Sequence, residues 1–278
     1  MTDTTTTENT QIIQNNSSAR RLIIITGDKG GVGKSTFARG LAQAYLDTQT
    51  RFVGFDADIS NSQLERFYGK HCTIEKLNIF KDGGIDGFFN KINTLINKKK
   101  TEEGQDQTGA SLFLLELPPQ SRTILQNFVE DMTFLETAQL DYGIRVTMVV
   151  VISRISDSVN QLIHLHSFCK DMADYVIVKN LHFGEENDFT LYQESREIKN
   201  IKDTLKKSDA SFVEINMPSL IAHAYQYLDK NNMTFDEGIK QTENPAVKGR
   251  TRGWLRKFKE EIKPAQGILG LDNLEIIL

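Results

Sequence analysis

The chain is short of the residues that build disulfide-stapled or cluster-holding proteins. Of 278 residues only two are cysteine. Cys72 and Cys169 stand alone and far apart, so neither a zinc site nor a disulfide framework is available, and an iron–sulfur cluster lacks its ligands. A reducing cytoplasm suits such a composition. No apolar run approaches the roughly 18 residues that a bilayer-crossing helix requires, so the chain reads as soluble or at most peripheral. No basic, then apolar, opening segment marks a secretory signal, and the Thr/Asn/Gln-rich residues 1–20 read as a disordered polar tail. Charge of one sign is also scarce: the formal net charge is -4, which excludes a wholly basic nucleic-acid binder and confines any DNA contact to a local patch. The five histidines form no catalytic constellation, since His164 and His166 share a helix pattern and the others are scattered.

What is present is a regular alternation of short apolar runs and longer helix-patterned segments. Leu22–Thr26, Phe52–Asp56, Leu112–Leu117, Val146–Ile152, Tyr175–Val178 and Ser211–Ile215 read as strands. Several are continuously apolar rather than alternating, as strands covered on both faces are. The fold class expected is α/β, doubly wound, with a mainly parallel sheet and helices on both faces. One nucleotide-site domain over residues 21–245 follows the tail, and a basic, amphipathic extension over 246–278 closes the chain. Residues 97–109, NKKKTEEGQDQTG, read as a solvated loop insertion.

The strongest local signal is LIIITGDKGGVGKST over Leu22–Thr36: a buried strand, a glycine-rich loop and a helix start. Glycines let successive N–H groups turn inward on an anion, and the helix start adds its positive dipole end. The backbone of Gly30, Gly31, Val32, Gly33, Lys34, Ser35 and Thr36 is therefore the expected phosphate cradle. Lys34 should reach the β- and γ-phosphates of the nucleotide and Ser35 should ligate Mg²⁺. The usual G-x-x-x-x-G-K-[ST] pattern wants glycine where Asp28 stands. Lys29-Gly30-Gly31-Val32-Gly33-Lys34-Ser35 instead resembles the deviant Walker A motif of the ParA/MinD superfamily, and Lys29 is similar to its signature lysine. The resemblance implies an ATP-bound homodimer in which Lys29 reaches the partner's phosphates, and a slow ATPase stimulated by an adaptor or activating protein. Asp28 puts a carboxylate near those anions, which is unfavourable unless Lys29 or the cation offsets it.

Further segments carry the same resemblance. FDADISNSQLERF over Phe55–Phe67 is similar to the family's D-x-D switch, which implies that Asp58 orients the attacking water and that Asp56 supports the metal through water. Phosphoryl transfer needs carboxylates in both places. LFLLELPPQ offers Glu116 where the family more often has aspartate, again as a water-mediated metal ligand, with Pro118 and Pro119 fixing the turn. Asn180, at the end of YVIVKN, resembles the adenine-reading asparagine, and no NKxD segment offers the aspartate a guanine reader uses, so ATP is expected rather than GTP.

VKNLHFGEENDF, EINMPSLIAHAYQYLD and the DKGG loop resemble the StbB-type branch of plasmid stability and conjugative mobilisation. The expected role is an ATP-sandwich dimer that positions or segregates a cargo in a bacterial cytoplasm. Lys248, Arg250, Arg252, Arg256, Lys257 and Lys259 around Trp254 suit phosphates of non-specific DNA. With Trp254, Leu255 and Phe258 on the other face they also suit a membrane-surface helix, as in MinD-like positioning ATPases, or a helix packed on its own domain. A dethiobiotin-synthetase-like small-molecule ligase is the remaining alternative.

Overall fold

The structure, a computed structural model, describes residues 20–27, 29–97, 109–271 and 274. Residues 1–19 of the polar tail, Asp28, nearly all of the charged insertion and residues 272, 273 and 275–278 lie outside them; Arg20, placed in the tail by the sequence reading, instead begins the first strand.

Seven strands, all parallel, form one sheet in the order β3-β2-β4-β1-β5-β6-β7. They are β1 (Arg20–Thr26), β2 (Val53–Asp56), β3 (Ile74–Lys76), β4 (Leu112–Glu116), β5 (Ile144–Ile152), β6 (Ala173–Asn180) and β7 (Phe212–Met217). The helices are α1 (Lys34–Asp47), α2 (Gln63–Tyr68), α3 (Gly84–Ile96), α4 (Arg122–Asp131), α5 (Phe134–Tyr142), α6 (Ser156–Cys169), α7 (Thr190–Glu194), α8 (Arg196–Leu205), α9 (Ala222–Lys230), α10 (Phe235–Lys240) and α11 (Pro245–Ile262). This is the doubly wound architecture expected from the sequence. Six strands fall on the apolar runs. The seventh, β3, is three residues of mixed polarity at the sheet edge, too short and too polar to show a strand period.

Side chains alternate across each strand, so β1 feeds two cores. Leu22 and Ile24 join the core with α3 to α8, while Ile23 and Ile25 join the core with α1, α2 and α9 to α11. That division explains why the strand reads as one unbroken apolar run.

Residues 245–271 belong to the second core. Asn244 accepts from the Val247 N–H and Pro245 occupies the first turn, the pairing that starts a helix cleanly. Trp254 stacks on Phe235 and Phe258, and Phe258 meets Phe37 of α1 edge-on at 5.4 Å. Gly40 of α1 leaves room for that ring, because a methyl there would meet Phe258 at 2.7 Å. The Trp254 indole donates to the Pro218 carbonyl at 2.7 Å. The apolar face offered to a lipid surface by sequence is therefore occupied by the protein itself. Lys259 also leaves the basic face: it is buried and pairs with Asp47 at 2.7 Å.

Candidate functional site

Because every strand runs the same way, β1, β2, β4 and β6 deliver their carboxyl ends to one edge of the sheet, where open α/β sheets bind ligands. The loop after β1 turns into α1 through Gly33, whose φ of 107° is open to glycine and strained for other residues. The start of α1 has neither a side-chain cap nor an acidic residue in its first turn. Its first N–H groups and positive dipole end are thus left to an external anion.

A cleft of about 540 Å³ opens at this point, lined by Gly30, Gly31, Gly33, Lys34, Ser35 and Thr36 on one side. Val32 turns its side chain into the core, and its carbonyl accepts from the Asn180 amide at 2.9 Å. Lys34 is buried and braces the loop from inside, its ammonium donating to the Gly27 carbonyl at 2.7 Å and the Lys29 carbonyl at 3.3 Å. Lys29 is exposed and is absent from the cleft wall. It borders a separate hollow of about 200 Å³ with Ser153, Arg154, Ile155 and Phe183.

Asp56 and Glu116 are brought together as register partners on β2 and β4. Both are buried and lie behind Ser35, whose hydroxyl donates to Glu116 Oε1. Burial pushes the Asp56 carboxyl up to about 6, against the lowering effect of N–H donation from Glu65 and Asp58. Burial, reinforced by the charge of Asp56, pushes Glu116 up to about 8. Glu116 Oε2 is buried and has no hydrogen-bond partner. An unpartnered carboxyl oxygen behind a serine hydroxyl suits the surroundings of a hard divalent cation such as Mg²⁺, whose charge would draw off the proton and hold both carboxyls ionised. Among the described residues no group of three or more His, Cys, Asp or Glu could hold a metal, so phosphate oxygens and water would complete the shell. Asp58 lies on the cleft wall and its Oδ1 accepts from Ser60 at 2.6 Å.

Asn180 sits at the end of β6 on the same cleft. Its oxygen accepts from the His182 N–H at 3.0 Å and its amide donates to Val32, so it fastens the glycine loop to β6. One amide hydrogen and one lone pair are left for a base edge.

The opposite wall was missed by sequence reasoning. It consists of Met217, Pro218, Ser219, Leu220, Tyr225 and Gln226, with Gln63 and Pro119 closing the ends. The signal was available, since NMPSL follows β7 at the same sheet edge that carries the other site residues. A further cleft of about 580 Å³ lies by the end of α1 and the starts of β2 and β4, at the amino ends of the strands and away from these groups.

Residues 23–242 match the CobQ/CobB/MinD/ParA nucleotide binding domain. The chain belongs to that family. Protein MobD of Acidithiobacillus ferrooxidans is 24% identical over 178 residues, covering 64% of this chain and 71% of MobD. Among solved structures, a nucleotide-binding protein from Archaeoglobus fulgidus in complex with ADP is similar over 77% of this chain and 87% of its own, at 16% identity and a TM-score of 0.43. A plasmid partition protein from Borrelia burgdorferi B31 bound to AMPPNP is similar over 86% and 98%, at 14% identity and a TM-score of 0.40. Among the described residues no helix is long and apolar enough to cross a membrane.

Proposed function

We propose that the protein is an ATP-dependent dimerising switch that hydrolyses ATP slowly and, in its dimeric state, attaches to DNA to position or segregate a cargo such as a plasmid or a conjugative relaxation complex. The observation that carries this reading is the division of labour between two lysines on one loop. Lys34 is buried beneath the cradle, whereas Lys29 is exposed and outside its own cleft. A lysine held on a phosphate loop but lining a different hollow from that loop's own cleft suits phosphates brought by a second copy, which makes ATP part of the contact between subunits. Within each subunit Ser35, Asp56 and Glu116 would hold Mg²⁺, Asp58 would orient the attacking water, and Asn180 would read adenine. Mg²⁺ supplies charge neutralisation for phosphoryl transfer.

The DNA reading is supported by α11, whose Arg250, Arg252, Arg256 and Lys257 remain exposed after its apolar face is buried. A dimer doubles such a patch and multiplies weak phosphate contacts. The same burial weighs against a lipid surface as the attachment site. An adaptor or activating protein would stimulate turnover.

The test is the molar mass of the Asp58→Ala protein by light scattering with Mg-ADP and with Mg-ATP, with duplex DNA added to the second. A dimer with ATP alone that captures DNA is expected. A monomer under every nucleotide would discard the switch and bring the small-molecule ligase forward.

A further inference from the structure

The side chain least explained by the nucleotide site is Arg39, in the middle of α1. It is wholly buried, at 0% exposure. Its guanidinium lies 3.5 Å from the centroid of the Phe67 ring, with the Phe235 and Tyr225 rings at 5.2 and 5.5 Å. Its Nε and Nη2 have no hydrogen-bond partner. An apolar side chain of similar volume would fill this cage without the desolvation of a charged group. What the guanidinium adds is one donor, Nη1, which reaches the Tyr225 hydroxyl at 3.4 Å.

That hydroxyl donates in turn to Gln63 Oε1 at 3.3 Å. Gln63 opens α2, and Tyr225 lies on α9. Both line the cleft. The loop before α2 carries Asp58, Ser60 and Asn61 on the cleft wall, and the loop before α9 carries Pro218, Ser219 and Leu220. A second link joins the same two helices, the ion pair between Arg66 and Asp229. The start of α2 is also tied to the floor of the site, because Asp56 Oδ2 accepts from the Glu65 N–H at 2.9 Å.

We propose that Arg39 is a positioning residue which, through the Tyr225 hydroxyl and Gln63, latches α2 to α9 and so holds the Asp58 loop in place against the nucleotide cleft. Arg39 touches no reacting group. Its cation is fixed by three aromatic faces, which restrict it far more than a solvated ion pair would. The latch joins the helices that follow the Asp58 loop and the Pro218–Leu220 loop, so its loss releases the loop before α2 while leaving the glycine loop before α1 intact. Its catalytic consequence rests on the ATPase reading above; its structural consequence does not.

The experiment pairs two readouts on the full chain, in wild type, Arg39→Met, Tyr225→Phe and the double variant. Amide exchange by mass spectrometry on the nucleotide-free protein is expected to quicken over residues 57–68 by about tenfold, with β1, β4 and the rest of the core unchanged. Single-turnover hydrolysis of Mg-ATP is expected to slow by about ten- to a hundredfold, and in Arg39→Met, which changes no residue of the cleft wall, the Kd for Mg-ATP should move less than about twofold. The double variant should be no worse than either single one, since one chain of contacts is cut in both. Unchanged exchange over 57–68 in Tyr225→Phe, or exchange raised equally throughout the core, overturns the proposal. Tyr225→Phe keeps its ring and decides the matter even where Arg39→Met does not fold. A wild-type protein that neither binds nor hydrolyses Mg-ATP defeats the ATPase reading alone, and the exchange data still judge the latch.

Discussion

Asp56 and Glu116 stand side by side as register partners at the ends of adjacent parallel strands, two buried acids whose proton affinities are both raised, Glu116 partly by the charge of Asp56. Without a cation Glu116 keeps its proton at neutral pH because ionising it beside Asp56 in a low-dielectric place is costly, and with a cation both acids can ionise and the pair becomes a binding site. Glu116→Gln removes one of the two acids and keeps the shape. The ligand-free variant should be as stable as wild type or more stable by about 1 kcal/mol, while the gain in ATP affinity on adding Mg²⁺ should shrink by about tenfold or more. Thermal unfolding without ligand, and ATP titrations in Mg²⁺ and in EDTA, check the two halves. An undiminished Mg²⁺ effect would remove Glu116 from the cation's surroundings.

Gly33 and Asn180 form a second tight relationship. A side chain at Gly33 would collide with the Asn180 amide, and the backbone there has φ of 107°. Gly33→Ala is expected to cost about 1–3 kcal/mol of stability and to abolish measurable ATP binding. Adding Asn180→Ala removes the harder collision, leaving a closer-than-usual approach to Met217 Cε and the backbone strain, so binding should stay absent. Recovery in the double variant, read by ATP titration, would show that space alone made glycine necessary.

At the other end of the sheet, Asp174 on β6 ties three strands together. It receives Arg21 of β1 at 2.7 Å, Arg145 of β5 at 3.1 Å and the Ser211 N–H just before β7 at 2.9 Å. Burial pushes its carboxyl up, but the hydrogen bonds from Arg145, Ser211 and Arg21 outweigh it and hold it below the ordinary carboxylate value. A depressed acid favours the folded state fully above its unfolded value of about 4 and ceases to do so as pH falls through the folded value. Asp174→Asn should therefore destabilise by about 3–5 kcal/mol at pH 7. The gap between variant and wild type should close below about pH 4. Urea titrations taken stepwise from neutral to acid pH measure that gap, and a gap independent of pH would mean the carboxylate's charge is not what matters.

The contrast between what the sequence disclosed and what it hid follows contiguity. The glycine-rich loop and its helix start were legible because strand, loop, Lys34-Ser35 and helix occupy one stretch of chain, and the sheet was legible because strands covered on both faces are continuously apolar. The pairing of Asp56 with Glu116 was not, because register is a property of two strands distant in sequence. The Met217–Gln226 wall stayed hidden for the same reason, and the exposed placement of Lys29 beside the buried Lys34 needed the loop's actual turn. Arg39 gave no signal at all: a single arginine on a helix reads as solvated surface, and only the rings of Phe67, Phe235 and Tyr225 converging from three other helices show otherwise.

The amphipathic pattern of α11 was the most ambiguous segment, since one stripe of Trp254, Leu255 and Phe258 opposite basic residues fits DNA, lipid or core. The structure spends the stripe on the core and separates the basic residues into two kinds. Phe258, at 0% exposure against α1, should cost about 3–5 kcal/mol when changed to alanine, with no specific effect on DNA at temperatures where the variant is folded. Lys259→Ala should also lower stability, because it leaves Asp47 without its buried partner. It should leave the salt dependence of DNA binding unchanged. Arg250→Glu, Arg252→Glu and Lys257→Glu, all on exposed positions, should leave the melting temperature within about 1–2 °C. Together they should flatten the slope of log affinity against log salt by about one unit for each DNA phosphate that is no longer neutralised. Fluorescence anisotropy of a labelled duplex at several salt concentrations, with Mg-ATP and the Asp58→Ala background to hold the dimer, reads this directly. A slope indifferent to the three exposed residues would move the DNA-binding surface off α11, whereas a slope sensitive to Lys259 would mean that the helix leaves the core when it binds.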